Sequence, residues 1–322
     1  MEIYSILIIF IAISILISFA IGANDETFST VYGSHTLRMK EILILTTIMA
    51  ILGTLILGRG VSETVGNSIL NLTVSNGIVL TILISTAIWL IISSIFSIPI
   101  STTHATIGAI IGIGLFLGGP GGVNWAKILE MSLWWILSPV IGFFTAYFVY
   151  WLLHKLVISK LSGLKNYEKA ERIFSYILLG VICLTAFSRA GNDCSNAIGI
   201  LVGIEDGIDI NLALIITGIS FSAGIIVLGR RVIKNVGTIT ELRPSTAFAC
   251  EIPTTIILFA GTILGIPLSG SHMLVASIVG ISKAQKTRLE GGMWKMIIIW
   301  LLTFPISAFL AFIIYLPINL FI

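Results

Sequence analysis

Residues 98–104 read IPISTTH, and residues 266–272 read IPLSGSH. Each string sets a proline, a row of small polar residues and a histidine inside a long aliphatic run. Two more strings recur in the same order. AND at 23–25 returns as GND at 191–193, so Asp25 and Asp193 stand as far apart as His104 and His272. LGRGVSETVG at 57–66 returns as LGRRVIKNVG at 228–237, at nearly the same interval. Apolar segments resemble one another by chance, but polar triplets recurring in order do not. The chain reads as a duplication.

Of 322 residues, 57% are hydrophobic and 10% are charged. So few charges cannot cover a soluble protein of this length, which points to a polytopic membrane protein. Apolar segments of spanning length fall near 3–21, 42–58, 74–96, 100–118 and 127–153, then near 174–190, 210–228, 245–265, 267–282 and 296–317. The first is long and lacks a basic leader, so it is expected as a retained helix. Three cysteines in apolar context form neither a disulfide framework nor a metal pattern. Five segments per copy is an odd number, so the second copy enters the membrane from the opposite face. The expected fold is an all-α polytopic membrane protein of two inverted-topology repeats of about five segments each, with broken or re-entrant helices at the midplane. The first repeat spans 1–153, a basic loop 154–173, and the second repeat 174–322.

Basic residues orient this arrangement. Lys155, Lys160, Lys165, Lys169 and Arg172 mark the central loop as cytoplasmic. If all ten segments cross, Arg38 and Lys40 fall on that side, with Arg230, Arg231, Lys234, Arg243, Lys283, Lys286, Arg288 and Lys295. That places 15 of the 18 Lys and Arg inside. Glu205, Asp206, Asp209 and both termini fall outside, and segment 267–282 is short enough to be re-entrant.

A proline suits the first turn of a helix, and a helix that begins within a membrane leaves N–H groups needing partners. An oxyanion satisfies them, because amides and dipole point at it together. Ser101, Thr102 and Thr103 with Ser269, Gly270 and Ser271 therefore form a candidate two-sided anion cradle. A single such run is more simply an interhelical packing device; its mirrored copy favours the cradle. His104 and His272 are equally helix-interior residues, ligand contacts or proton carriers. Asn24-Asp25 and Asn192-Asp193 are the second pair. An aspartate at membrane depth is costly, and carboxylate, carboxamide and carbonyl oxygens on broken helices suit a hard cation such as sodium. Gly22 and Gly191 favour those breaks. Ser195 and Asn196, with Thr27 and Ser29, are further candidate ligands, and Asn24 and Asn192 are assigned to both anion and cation. The plainer reading of each aspartate is a helix cap. Glu251 is a candidate gating or coupling residue, or an interfacial one. Glu63 and Glu130 are expected in loops, and Trp125, Trp134 and Trp135 in an interfacial belt. Two buried carboxylates beside a divalent anion require compensation; with only Arg189 near a motif, the positive charge is expected to arrive as sodium ions or protons.

These motifs resemble the inorganic phosphate transporter (PiT) family of sodium- or proton-coupled permeases: GAND at 22–25, VSET at 61–64, PISTTH at 99–104, GNDCSNAIG at 191–199 and PLSGSH at 267–272. The resemblance spans nearly the whole chain. It implies phosphate as substrate, bound near the Ser/Thr motifs, with cations near the Asn-Asp motifs, and a homodimer in the cell membrane; no nucleic-acid partner or resident cofactor is expected. The first copy continues as GANDETFS, so Asn196 faces no counterpart beyond Phe28, and a glutamate many members carry in the second helix is Ala50 here. Relatives that carry sulfate tend to lose the Asn-Asp pairs, and both are kept. The alternatives are a sulfate or other oxyanion permease, a cation antiporter or channel, and an intramembrane hydrolase. No HExxH, Walker A or zinc pattern supports an enzyme.

Overall fold

The computed structural model describes residues 2–67, 69–202, 209–289 and 293–321, and it is helical nearly throughout. Among these residues, the long helices coincide with the ten expected segments: α1 (Glu2–Ala23), α3 (Met39–Asn67), α4 (Asn76–Ile95), α5 (Thr102–Gly118), α6 (Trp125–Leu156), α7 (Leu164–Val202), α8 (Ile210–Gly224), α10 (Pro244–Ile263), α11 (Gly270–Gln285) and α12 (Met293–Phe321). Two short helices, α2 (Ser29–Gly33) and α9 (Arg230–Gly237), complete the order, and a π-helical turn over Ile225–Gly229 joins α8 to α9. Helices dominate because in hydrocarbon each backbone N–H and C=O needs a partner within its own segment. Among the described residues, eight helices are long and apolar enough to cross a bilayer. The chain is a multi-pass membrane protein.

The helices pack in reciprocal pairs. α3 lies along α7, and α1 along α8. A methyl group added at Gly53 or Gly224 would lie 2.0 Å from the carbonyl oxygen of Phe187 or Phe19 respectively, so glycine is what lets these backbones touch. α4–α5 and α10–α11 are helical hairpins whose turns carry a left-handed residue at matching places, Ser97 at φ 57° and Gly265 at φ 69°. The ends of both turns are buried, at Ile100, Ser101, Leu268 and Ser269. Both hairpins, not only the second, thus bring their tips into the protein interior.

Several expectations change. α1 does break after Ala23, with Asn24 and Asp25 in the turn before α2, but α7 runs unbroken through Gly191. Gly191 serves packing instead: an added Cβ there would meet the Leu57 side chain at 2.6 Å and the Gly53 carbonyl oxygen at 2.9 Å. The central loop shrinks, since α7 begins at Leu164 and carries Lys165, Lys169 and Arg172 on its first turns. Glu63 and Glu130 belong to α3 and α6 rather than loops. The Glu63 side chain, with Glu205 and Asp206, lies outside the described residues. Glu130 meets Lys127 at 2.9 Å on the surface. Trp125 and Trp134 are exposed, but Trp135 is buried in the core rather than in a belt.

Candidate functional site

Each hairpin tip is held by one asparagine. The amide N–H of Ile100 donates to Asn24 Oδ1 at 2.8 Å, while Asn24 Nδ2 donates to the Ile98 carbonyl at 3.0 Å and to Ser93 and Ser94 Oγ at 2.9 and 3.1 Å. Asn192 repeats the pattern. It accepts from Leu268 N–H at 3.1 Å and donates to the Ile266 carbonyl at 2.9 Å and to Thr262 Oγ1 at 3.1 Å. Asn24, Ser94, Ile98 and Ile100 thus answer to Asn192, Thr262, Ile266 and Leu268, all at the interval of the repeated strings. Both asparagines spend their hydrogen-bonding groups on the hairpins.

So held, the tips exchange contacts. Thr103 Oγ1 donates to the Leu268 carbonyl at 3.1 Å, and Ser271 Oγ to the Ile100 carbonyl at 3.2 Å. Two indoles pin the prolines from across the molecule: Trp135 Nε1–H donates to the Pro267 carbonyl at 3.2 Å and Trp300 Nε1–H to that of Pro99 at 2.9 Å. The imidazoles of His104 and His272 meet edge to face with centroids 4.5 Å apart. Ser101 and Ser269 cap α5 and α11, accepting from His104 N–H at 3.2 Å and His272 N–H at 3.4 Å. An α-helix leaves its first N–H groups outside its own ladder. With the third one capped, the amides of Thr102 and Thr103, and of Gly270 and Ser271, remain for an anion.

Against this lies a buried ion network. Arg189 Nε sits 3.3 Å from Asp25 Oδ1 and 3.1 Å from Asp193 Oδ2, and Nη1 lies 2.8 Å from Glu26 Oε1. Nη2 donates to Ser271 Oγ at 2.8 Å, tying the network to the tip of α11. Asp25 is 3% exposed, Glu26 0%, Arg189 3% and Asp193 5%. Gly270 makes room, because a Cβ there would meet Arg189 Nε at 3.0 Å. Thr27 Oγ1 donates to Asp25 Oδ1 at 2.6 Å.

Two members, Glu26 and Arg189, correct the sequence reading. Three carboxylates gather, not two, and a positive charge is resident. Arg189 stands one turn before Asp193 on the same face of α7, a spacing that marks an i,i+4 pair; its pairing with Asp25 and Glu26 depends on helix packing. Glu251 is fully buried instead of interfacial. Its Oε1 accepts from Thr30 Oγ1 at 2.6 Å, and Thr185 Oγ1 lies 3.4 Å from Oε2. The Ser195 hydroxyl is committed to the carbonyls of Gly58 and Gly191 at 2.6 and 2.5 Å. Asn196 donates to the Asp193 carbonyl at 3.2 Å, and its Oδ1 is buried without a hydrogen-bond partner among the described residues. Ser29 Oγ is likewise buried and unpartnered among them.

Residues 21–311 match the model of the phosphate transporter family. A protein of Bacillus subtilis named "probable low-affinity inorganic phosphate transporter" is 28% identical, the match covering 99% of each chain. The chloroplastic inorganic phosphate transporter 2-1 of Arabidopsis thaliana is 25% identical over 90% of this chain and 68% of its own. A solved structure titled "The sodium-dependent phosphate transporter" superposes with a TM-score of 0.90 at 24% identity, covering 99% of this chain and all of that one. That likeness shows the fold.

Proposed function

We propose that this chain, which belongs to the phosphate transporter family and so stands among transporters rather than enzymes, imports inorganic phosphate by symport with sodium ions. The observation that carries this reading is the meeting of two helix N-termini with unclaimed amides, at Thr102–Thr103 and Gly270–Ser271, beside a buried network holding more carboxylates than cations. Phosphate sits between the two N-termini, bound by those amides and by the hydroxyls of Ser101, Thr102 and Ser269, with Thr103 and Ser271 turning their single protons to it from the Leu268 and Ile100 carbonyls. Arg189 reaches it through Ser271. Sodium binds at Asp25 and Asp193 with Asn196, Ser195 and local backbone carbonyls, while Asn24 and Asn192 act mainly by holding the tips. Among the described residues Asp25, Glu26 and Asp193 share one buried guanidinium, and Glu251 is buried against the hydroxyls of Thr30 and Thr185, so an incoming anion requires accompanying cations. Glu251 is the coupling or gating group; His104 and His272 stand directly behind the cradle.

Contacts mirrored at the interval of the repeated strings support two inverted repeats, 1–153 and 174–322, with alternating access around a site between them. Residues 154–173 face the cytoplasm, both termini lie outside, and the protein resides in the plasma membrane. A homodimer belongs to the same proposal and rests on the family resemblance. Impermeant thiol reagents should label cysteines placed at either terminus of intact cells and spare one at position 165. Outside labelling confined to 165 would reverse the orientation.

Substrate choice is tested by competition. Reconstituted protein should take up labelled phosphate, with excess unlabelled phosphate abolishing the signal and excess sulfate leaving most of it. Equal inhibition by sulfate would assign the site to tetrahedral oxyanions generally. Thr103→Val and Ser271→Ala each remove a hydroxyl at the cradle. A hydrogen bond to a charged group contributes about 1.5–3 kcal/mol, so apparent phosphate affinity should weaken about tenfold or more. Unchanged affinity in both variants at normal expression would reduce these residues to packing.

A further inference from the structure

The α4–α5 hairpin packs on α12, and the α10–α11 hairpin on α6. Each hairpin is thus braced by the helix that follows the other one. Where the two units meet lies a cavity of about 360 Å³, walled from one unit by His104, Trp300 and Phe304 and from the other by Trp135, Ile136 and His272. This volume falls within the range of small-molecule sites. Its rim residues Ile136 and Leu301 are 65% and 73% exposed on helices that are long and apolar enough to span a bilayer. Among the described residues, no ionisable side chain lines it apart from the two histidines. The opening therefore faces hydrocarbon.

The wall is not wholly apolar, however. His104 stacks on Phe304 at 4.5 Å and meets Trp135 at 4.7 Å, while His272 lies 4.2 Å from Trp300. His104 and His272 are 6% and 7% exposed. Both ring nitrogens of His104 and Nε2 of His272 have no hydrogen-bond partner among the described residues. Buried polar atoms are nearly always paired, and an unpaired one is costly.

We propose that this cavity is a lateral binding site for a fatty-acid-like amphiphile. Its alkyl chain lies between α6 and α12, and its terminal carboxylic acid or hydroxyl group hydrogen-bonds to the His104–His272 pair. A neutral imidazole offers one donor and one acceptor, and so does that terminal group; the uncharged aromatic wall matches the chain. Because each unit supplies half of the wall, an occupied cavity ties the units together and slows any step of transport that parts them. The inference rests on the cavity and is independent of which anion is carried.

Trp135 and Trp300, two of the seven tryptophans, report occupancy by fluorescence. Titrating the purified full chain in detergent with dibrominated stearic acid should give saturable quenching that unbrominated stearic acid reverses. Ser132→Leu, which fills a lining position and leaves both reporters in place, should weaken binding about tenfold or more. Ile136→Phe at the rim should do the same, so failure of one variant to fold leaves the test standing. A brominated alkane of equal length should bind about tenfold more weakly than the acid. Quenching that never saturates, is unchanged in both variants or is equal for the alkane overturns the proposal. So does equal quenching by a brominated phospholipid that stearic acid cannot displace, which would leave only bulk acyl chains in the cavity. Quenching that appears only after a dimer is dissociated would assign the cavity to an interface between copies, and would also overturn it.

Discussion

Asp25→Asn and Asp193→Asn reach the membrane folded, and each loses sodium-driven phosphate uptake by at least about 100-fold. Asparagine keeps the shape of aspartate, and its Oδ1 still accepts from Thr27 and Arg189 where Asp25 does now. What disappears is one negative charge among groups that are nearly fully buried. Charge-assisted contacts contribute about 1.5–3 kcal/mol, and a hard cation depends on carboxylate oxygen, so 100-fold corresponds to one lost ligand. A helix cap behaves otherwise, since Asn caps about as well as Asp. Raising external sodium should restore part of the uptake. Variants that transport with the wild-type sodium dependence would make both aspartates structural.

Arg189→Met has the larger effect on stability. It leaves Asp25, Glu26 and Asp193 around an apolar side chain and cuts the link to Ser271. Removing one partner of a buried ion pair costs about 3–5 kcal/mol, chiefly because the remaining charges are uncompensated. The variant should unfold at markedly lower temperature in detergent, and Glu26→Gln in the same chain should recover part of the loss. Arg189→Lys keeps the charge but not the fork that reaches several partners at once, so it should keep more stability than phosphate affinity. A melting temperature unaffected by Arg189→Met would mean that the network contributes nothing to the fold.

Much of the architecture is readable from sequence because its determinants repeat. The strings around Pro99 and Pro267 and around Asp25 and Asp193 point to a duplication, and the apolar segments coincide with the ten long helices. The mirrored pairing of Asn24 with Ile98 and Ile100, and of Asn192 with Ile266 and Leu268, sits at that same spacing. What escapes is whatever depends on a partner distant in the chain. Gly191 looks like a helix breaker until Gly53 and Leu57 of α3 lie against it. Trp135 looks interfacial until the Pro267 carbonyl accepts from its indole. Glu26 carries no signal of its own beside Asp25, because nothing local announces that Arg189 arrives from α7. The Asn side chains look like free ligands for the same reason: the hairpin tips that use them come from other segments.

Coupling of phosphate flux to a cation gradient through this site is tested most directly in proteoliposomes containing only the purified protein. Labelled phosphate should accumulate inside above its external concentration while an inward sodium gradient is imposed, and should leak back when an ionophore collapses that gradient. Phosphate that merely equilibrates at the same rate with and without sodium and proton gradients would contradict the account.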